Sequence, residues 1–378
     1  MFFKSLPLLS LSATLTLPLL TTAIPQTTPS NPTTNTLPDG DARTIPDITG
    51  LAAAAAAAGR DPPDLGAIAL SFPPGVDSGK AFLSSIIPAG PFNVSTRSDP
   101  QFPGRTIYVP LGTGEMKVPV VAWENGICYK YGTMYADFLT QLASYGYLAI
   151  APGPPYDQVP GFTTYLWQRQ SIDQALAASI PGLNLDTTKI AIGGHSCGAG
   201  ETERTAGLDS RVTTNMVFNG AAAFDEGTLA VANKSGGSLD GARELGGASG
   251  ATPGAAVDLS KPVDLSAIKC NETITGAITQ PTLWLHGGAT DIGVAVETDY
   301  ACLKKLKPAL LQVKASINVG HLMTYFIPRG GITAEMTLSW LGWQLKGDLG
   351  PEGMGYFVAD GAMARFRGWN ITMSGMMY

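Results

Sequence analysis

Charge is what this 378-residue chain has least of. Asp, Glu, Lys and Arg make up 14% of it, roughly half the ~25% of an average soluble domain. The charges that are present sum to −6, with a pI near 5.1, and no basic cluster occurs. That excludes a protein whose affinity comes from neutralising nucleic-acid phosphates. Histidine is scarcer still, at three residues. The four cysteines never fall as Cys-x-x-Cys, so no metal-ligand spacing is present and no metal or other cofactor is expected. No phosphate loop or dinucleotide glycine pattern stands in its required setting. No internal repeat is visible.

What is present suits a large folded domain. Hydrophobic residues reach 44% and mean hydropathy is +0.12, enough to bury a full core at this length. Glycine (45) and proline (28) promise many turns. At the N-terminus, Lys4 precedes an apolar run from Leu6 to Leu20, with small residues at Thr21 and Ala23. That is the layout of a signal peptide cleaved after Ala23. The run is broken by Ser10, Ser12, Thr14, Thr16 and Pro18, and it falls short of the about 20 apolar residues a spanning helix needs. Secretion without a membrane anchor is therefore expected. Four glycosylation sequons, at Asn93, Asn233, Asn271 and Asn370, agree with it. Residues 24–64, rich in Pro, Thr and Ala, read as a flexible leader, and the globular domain is expected over 65–378.

Within that domain strand-like and helix-like segments alternate. Short apolar runs at Val118–Trp123, Tyr147–Ala151, Lys189–Ile192, Met216–Phe218, Thr282–Leu285 and Leu311–Ala315 suit buried strands. Tyr131–Tyr145 and Thr164–Ile180 have helical spacing. The alternation predicts an α/β fold, a mostly parallel doubly wound sheet flanked by helices. A Gly/Ala-rich insertion at about 220–262 interrupts the rhythm and reads as a surface loop or a cap over a site.

The sharpest local signal is Gly194-His195-Ser196-Cys197-Gly198, directly after a predicted strand. Gly-x-Ser-x-Gly places a serine on a strained strand-to-helix turn, the nucleophile elbow. A serine hydroxyl needs a base to attack, and only three histidines are available. His195 lies on the elbow itself and reads as a packing residue or as one that supports the site from behind. His286 closes a strand and precedes any suitable acid, so it reads as structural. His321, in the loop after the last predicted strand, remains. The acid that orients it is expected at Asp291, in His286-Gly287-Gly288-Ala289-Thr290-Asp291, with Asp225 and Asp299 as alternatives. The N–H groups that would receive a developing oxyanion are those of Cys197, after the nucleophile, and Ile127, in the loop Glu124-Asn125-Gly126-Ile127-Cys128. Tyr129, Tyr131, Tyr135, Tyr156 and Trp167 lie nearby in sequence, as pocket lining or simply as core and rim.

On Trp123–Cys128, Gly193–Gly198, Gly287–Asp291 and Gly320-His321, the chain resembles the secreted fungal α/β-hydrolases with cutinase-like, chlorophyllase-like or polyester-hydrolase-like domains. The resemblance spans roughly Lys117 to Gly347. It implies an α/β-hydrolase fold, serine esterase chemistry on Ser196, Asp291 and His321, oxyanion donors at Ile127 and Cys197, and no cofactor. The expected partner is a small-molecule or polymeric ester, met by a monomer. Two features depart from those enzymes: Asn125-Gly126 replaces the commoner His-Gly, and the 220–262 insertion is extra. An acyltransferase or lyase of fungal secondary metabolism, or a hydrolase-like binding protein, is the alternative. An even cysteine count in a secreted chain suggests two disulfides with three possible connectivities. Shared proximity to one oxyanion favours Cys128–Cys197, leaving Cys270–Cys302, and the first bridge would hold the two donor segments together.

Overall fold

A computed structural model describes residues 87–222, 269–288, 291, 293, 295–358, 364–365 and 367–375. All of them fall within one unit, Ile45–Tyr378. The signal peptide, the leader, Asn233, Asp225 and most of the insertion lie outside the described residues.

Nine strands form one sheet. They are β1 (Asn93–Arg97), β2 (Arg105–Leu111), β3 (Lys117–Glu124), β5 (Leu148–Pro152), β7 (Asn184–His195), β8 (Thr214–Phe218), β9 (Thr282–His286), β10 (Gln312–Ser316) and β11 (Asn370–Ser374). The order is β1-β2-β5-β3-β7-β8-β9-β10-β11, and β4 (Tyr129–Lys130) pairs with β6 (Val159–Phe162) in a separate ribbon. From β5 to β10 every pairing is parallel. The edge pairings β1–β2, β2–β5 and β10–β11 are antiparallel. The architecture is thus α/β with a large, mostly parallel sheet flanked by helices. The two edge strands, β1 and β11, lie outside the apolar runs, because edge strands need no continuous hydrophobic stretch.

The central strands β3, β5, β8 and β9 are buried along almost their whole length because both faces are covered. In β3, Val121 and Trp123 point to one side and Val120 and Ala122 to the other, as a period of two requires. The first side packs on α1 (Ala136–Ser144) and α6 (Gly331–Lys346) through Phe138, Leu142, Ile332 and Trp340. The second packs on α2 (Tyr165–Ala177), α3 (Cys197–Leu208) and α5 (Val296–Leu306) through Ile172, Ala199, Ala206 and Leu303. A Glu201 carboxylate on α3 accepts the Tyr165 N–H at 2.6 Å and so closes the start of α2.

Strand order reverses around β3, with β5 on one side and β7 on the other. In open α/β sheets the crevice beyond the carboxyl ends of the strands at such a switch point is where ligands bind. The loops after β3 and β7 flank it. They are the Asn125–Cys128 loop and the Ser196 turn.

Candidate active site

Ser196 sits between the end of β7 and the start of α3 with φ 56° and ψ −120°. A side chain held at positive φ is strained, and such strain persists only where the surroundings over-determine it. Here the Ser196 N–H donates to the Phe218 carbonyl at 2.9 Å. The helix behind it packs against the β3 loop so closely that a Cβ on Gly198 would lie 2.5 Å from the Glu124 carbonyl oxygen. That contact is why the motif's last position must be glycine.

Ser196 Oγ lies 3.0 Å from His321 Nε2, and His321 Nδ1 lies 2.7 Å from Asp291 Oδ1. A carboxylate accepts only, so Nδ1 carries the proton and Nε2 is left to accept from the serine hydroxyl. Asp291 is 1% exposed. Its second oxygen, Oδ2, accepts from the Gly287 N–H and Asn219 Nδ2, both at 2.6 Å, and Oδ1 also accepts from the Gly293 N–H at 2.7 Å. Burial pushes its pKa up, but the adjacent His321 and these donors outweigh it and hold the carboxyl well below the usual range. The two loops are laced together as well, since the Gly287 carbonyl accepts from the N–H groups of Val319 and Gly320.

Of the acids considered, Asp225 lies outside the described residues, and of the other two it is Asp291 that meets His321. Asp299 is buried on α5 near Glu203. His286 is buried, with Nε2 2.9 Å from Glu297 Oε1. His195 is buried, bonded to Tyr135 and to the His321 carbonyl.

Both cysteine pairs are at disulfide distance. Cys128–Cys197 has a Cα separation of 5.4 Å and Cys270–Cys302 one of 6.2 Å. The first joins the residue after Ile127 to the residue after Ser196. As the first residue of α3, Cys197 has no intrahelical acceptor for its N–H. Ile127 and Cys128 both take positive φ, 58° and 54°. Several contacts hold this turn in place: the Cys128 carbonyl accepts from the N–H and the hydroxyl of Thr163, and Asn125 Nδ2 donates to the carbonyls of Tyr129 and Tyr131, each at 2.9 Å. Of seven positive-φ residues other than glycine among those described, Ile127, Cys128, Ser196, Asn219 and Met323 all belong to these site loops.

The aromatic residues divide. Tyr135 is buried behind the site and Tyr129 stacks on Phe162. Arg105 and Lys130 each lie over the Trp167 ring. Tyr156 is 75% exposed. Sequence reasoning did not single out Asn219 or Tyr325, whose hydroxyl donates to Asn219 Oδ1 at 2.9 Å. A polar residue just past the apolar strand Met216–Phe218 was the available signal for Asn219; nothing local marks Tyr325. Among the described residues no three His, Cys, Asp or Glu side chains are grouped to hold a metal ion, and no helix is long and apolar enough to cross a membrane. Of the sequons, Asn93 and Asn370 are exposed, while the Asn271 side chain caps the short helix α4 (Glu272–Thr275) by accepting from the N–H groups of Thr273 and Ile274. No family model and no curated protein sequence matches the chain.

Proposed function

We propose that this chain is a secreted serine esterase with an α/β-hydrolase fold, cleaving carboxylic esters through an acyl-enzyme on Ser196. The observation that carries the reading is the Ser196–His321–Asp291 line, with spacings of 3.0 and 2.7 Å, on a strained turn at the sheet's switch point. The chain order Ser, Asp, His agrees with the hydrolase arrangement. In this mechanism Ser196 Oγ attacks the ester carbonyl carbon as His321 Nε2 takes its proton. The carbonyl oxygen becomes an oxyanion facing the N–H groups of Ile127 and Cys197. Collapse expels the alcohol, protonated by His321, and leaves an acyl-serine. Water, deprotonated by the same imidazole, then releases the acid and restores the serine. Asp291 stays ionised throughout and stabilises the imidazolium. Secretion is supported by the signal-like N-terminus, the sequons and the two cysteine pairs.

The reading is tested with p-nitrophenyl esters under pre-steady-state conditions. Turnover with a burst of about one nitrophenolate per chain is expected; no turnover by folded protein would contradict it.

A further inference from the structure

Three hydrogen bonds run in series from the loop after β3 to the loop that carries His321. The Gly126 N–H meets Tyr135 Oη at 3.2 Å, Tyr135 Oη meets His195 Nδ1 at 2.7 Å, and His195 Nε2 meets the His321 carbonyl oxygen at 2.9 Å. Their directions follow from the two ends. A carbonyl only accepts, so the proton of the neutral His195 ring is on Nε2, and Nδ1 must accept from the Tyr135 hydroxyl. That hydroxyl in turn accepts from Gly126. Each polar atom has one consistent role, and no other arrangement of a neutral ring keeps all three bonds.

The series is dry and tightly packed. Tyr135 and His195 are 1% and 2% exposed. Burial and the adjacent His321 ring push His195 down to about 3, which keeps it neutral. Its ring lies 4.9 Å from that of Tyr325 and 4.7 Å from that of His321. A Cβ on Gly126 would lie 2.7 Å from Tyr135 Oη and 2.8 Å from His195 Nδ1. Because its N–H is taken, Gly126 has none to offer an oxyanion, so on this side the task falls to Ile127.

We propose that Tyr135 and His195 are positioning residues, a strut that fixes the spacing between the oxyanion loop and the His321 loop across Ser196. The inference rests on the esterase reading above. Its consequence is kinetic. The transition state needs the imidazole and both N–H donors placed at once, and a misplacement of about 1 Å costs on the order of 100-fold in rate. Ground-state binding of the ester makes no such demand.

The test combines kinetics with a readout that does not depend on activity. Imidazole ¹⁵N shifts of the intact protein should show His195 as the Nε2–H tautomer from pH 5 to 8. His195→Leu should lower kcat by about 10- to 100-fold with KM nearly unchanged. His195→Gln, whose amide accepts from Tyr135 and donates to the carbonyl, should recover most of that loss. Tyr135→Phe keeps the buried ring and loses only the hydroxyl, so it tests the strut even if His195→Leu does not fold; a kcat loss of about 10-fold is expected. An Nδ1–H tautomer, wild-type kcat in Tyr135→Phe, or equal damage from His195→Gln and His195→Leu would overturn the strut while leaving the esterase intact. The expected tautomer in a wild-type protein with no ester turnover would overturn the esterase reading, and the strut's catalytic role with it.

Discussion

The Tyr325 hydroxyl donates to Asn219 Oδ1 at 2.9 Å, so the Asn219 amide has one way round and its Nδ2 meets Asp291 Oδ2 at 2.6 Å. Asn219 holds this pose at a left-handed φ of 54°, with its own N–H on the Leu285 carbonyl. The acid opposite His321 is therefore aimed by β8, while the acid itself comes from the loop after β9.

Tyr325→Phe should preserve the buried ring and free the Asn219 amide to turn. A kcat loss of about 5- to 10-fold is expected, with Asn219→Ala costing more because a carboxylate oxygen loses a charge-assisted bond. Steady-state kinetics on the folded variants checks the ranking.

Asp291→Asn should keep the fold and lose about 10⁴-fold in kcat, since the imidazole loses both its tautomer and its charge partner. If Asp225→Asn proves the damaging change and Asp291→Asn is tolerated, the acid is misassigned by one strand.

The two disulfides should separate stability from catalysis. Opening Cys270–Cys302 by a double serine substitution should lower Tm and leave kcat within about twofold, because the pair constrains only the unfolded chain. Opening Cys128–Cys197 the same way should lower Tm and also reduce kcat by about 10- to 100-fold, as both donor segments lose their tie. Equal kinetics in the two variants would remove the role given to the first bridge.

Glu124, the residue before the Asn125–Cys128 loop, is a fully buried carboxyl group. Burial outweighs the nearby Thr163 and Arg105 and pushes its pKa up to about 8. The folded state therefore holds this proton more tightly than the unfolded chain. Its contribution to stability is complete below the ordinary carboxyl pKa and is lost as pH rises towards 8 and past it. Tm should fall by several degrees over that range. Glu124→Gln, neutral at every pH, should flatten the fall; an unchanged slope would show that Glu124 is not its source.

Much of this was legible in the chain because buried parallel strands must be apolar on both faces. Each of the six predicted strands is present, with ends shifted by a few residues. The longest shift is β7, which continues back to Asn184 along β3 through a register shift at Pro119/Val120. The edge strands β1 and β11 carry no such signature, and β2, though interior and buried, holds only the short apolar stretch Ile107–Val109 between Thr106 and Pro110. Ser196, His321 and Asp291 could be found because scarce histidine and one glycine-flanked serine leave few assignments. Asn219, Tyr325 and the Tyr135–His195 series could not, since their roles depend on which loops the sheet brings together, and ordinary asparagine and tyrosine do not advertise that.

The most direct test is a fluorophosphonate label on the intact protein, mapped by peptide mass spectrometry. The proposed mechanism predicts one adduct, on the Ser196 hydroxyl, absent from Ser196→Ala and slowed by orders of magnitude in His321→Ala while both variants remain folded. Folded protein that takes no label, or takes it at another residue with Ser196→Ala still turning over ester, would contradict it.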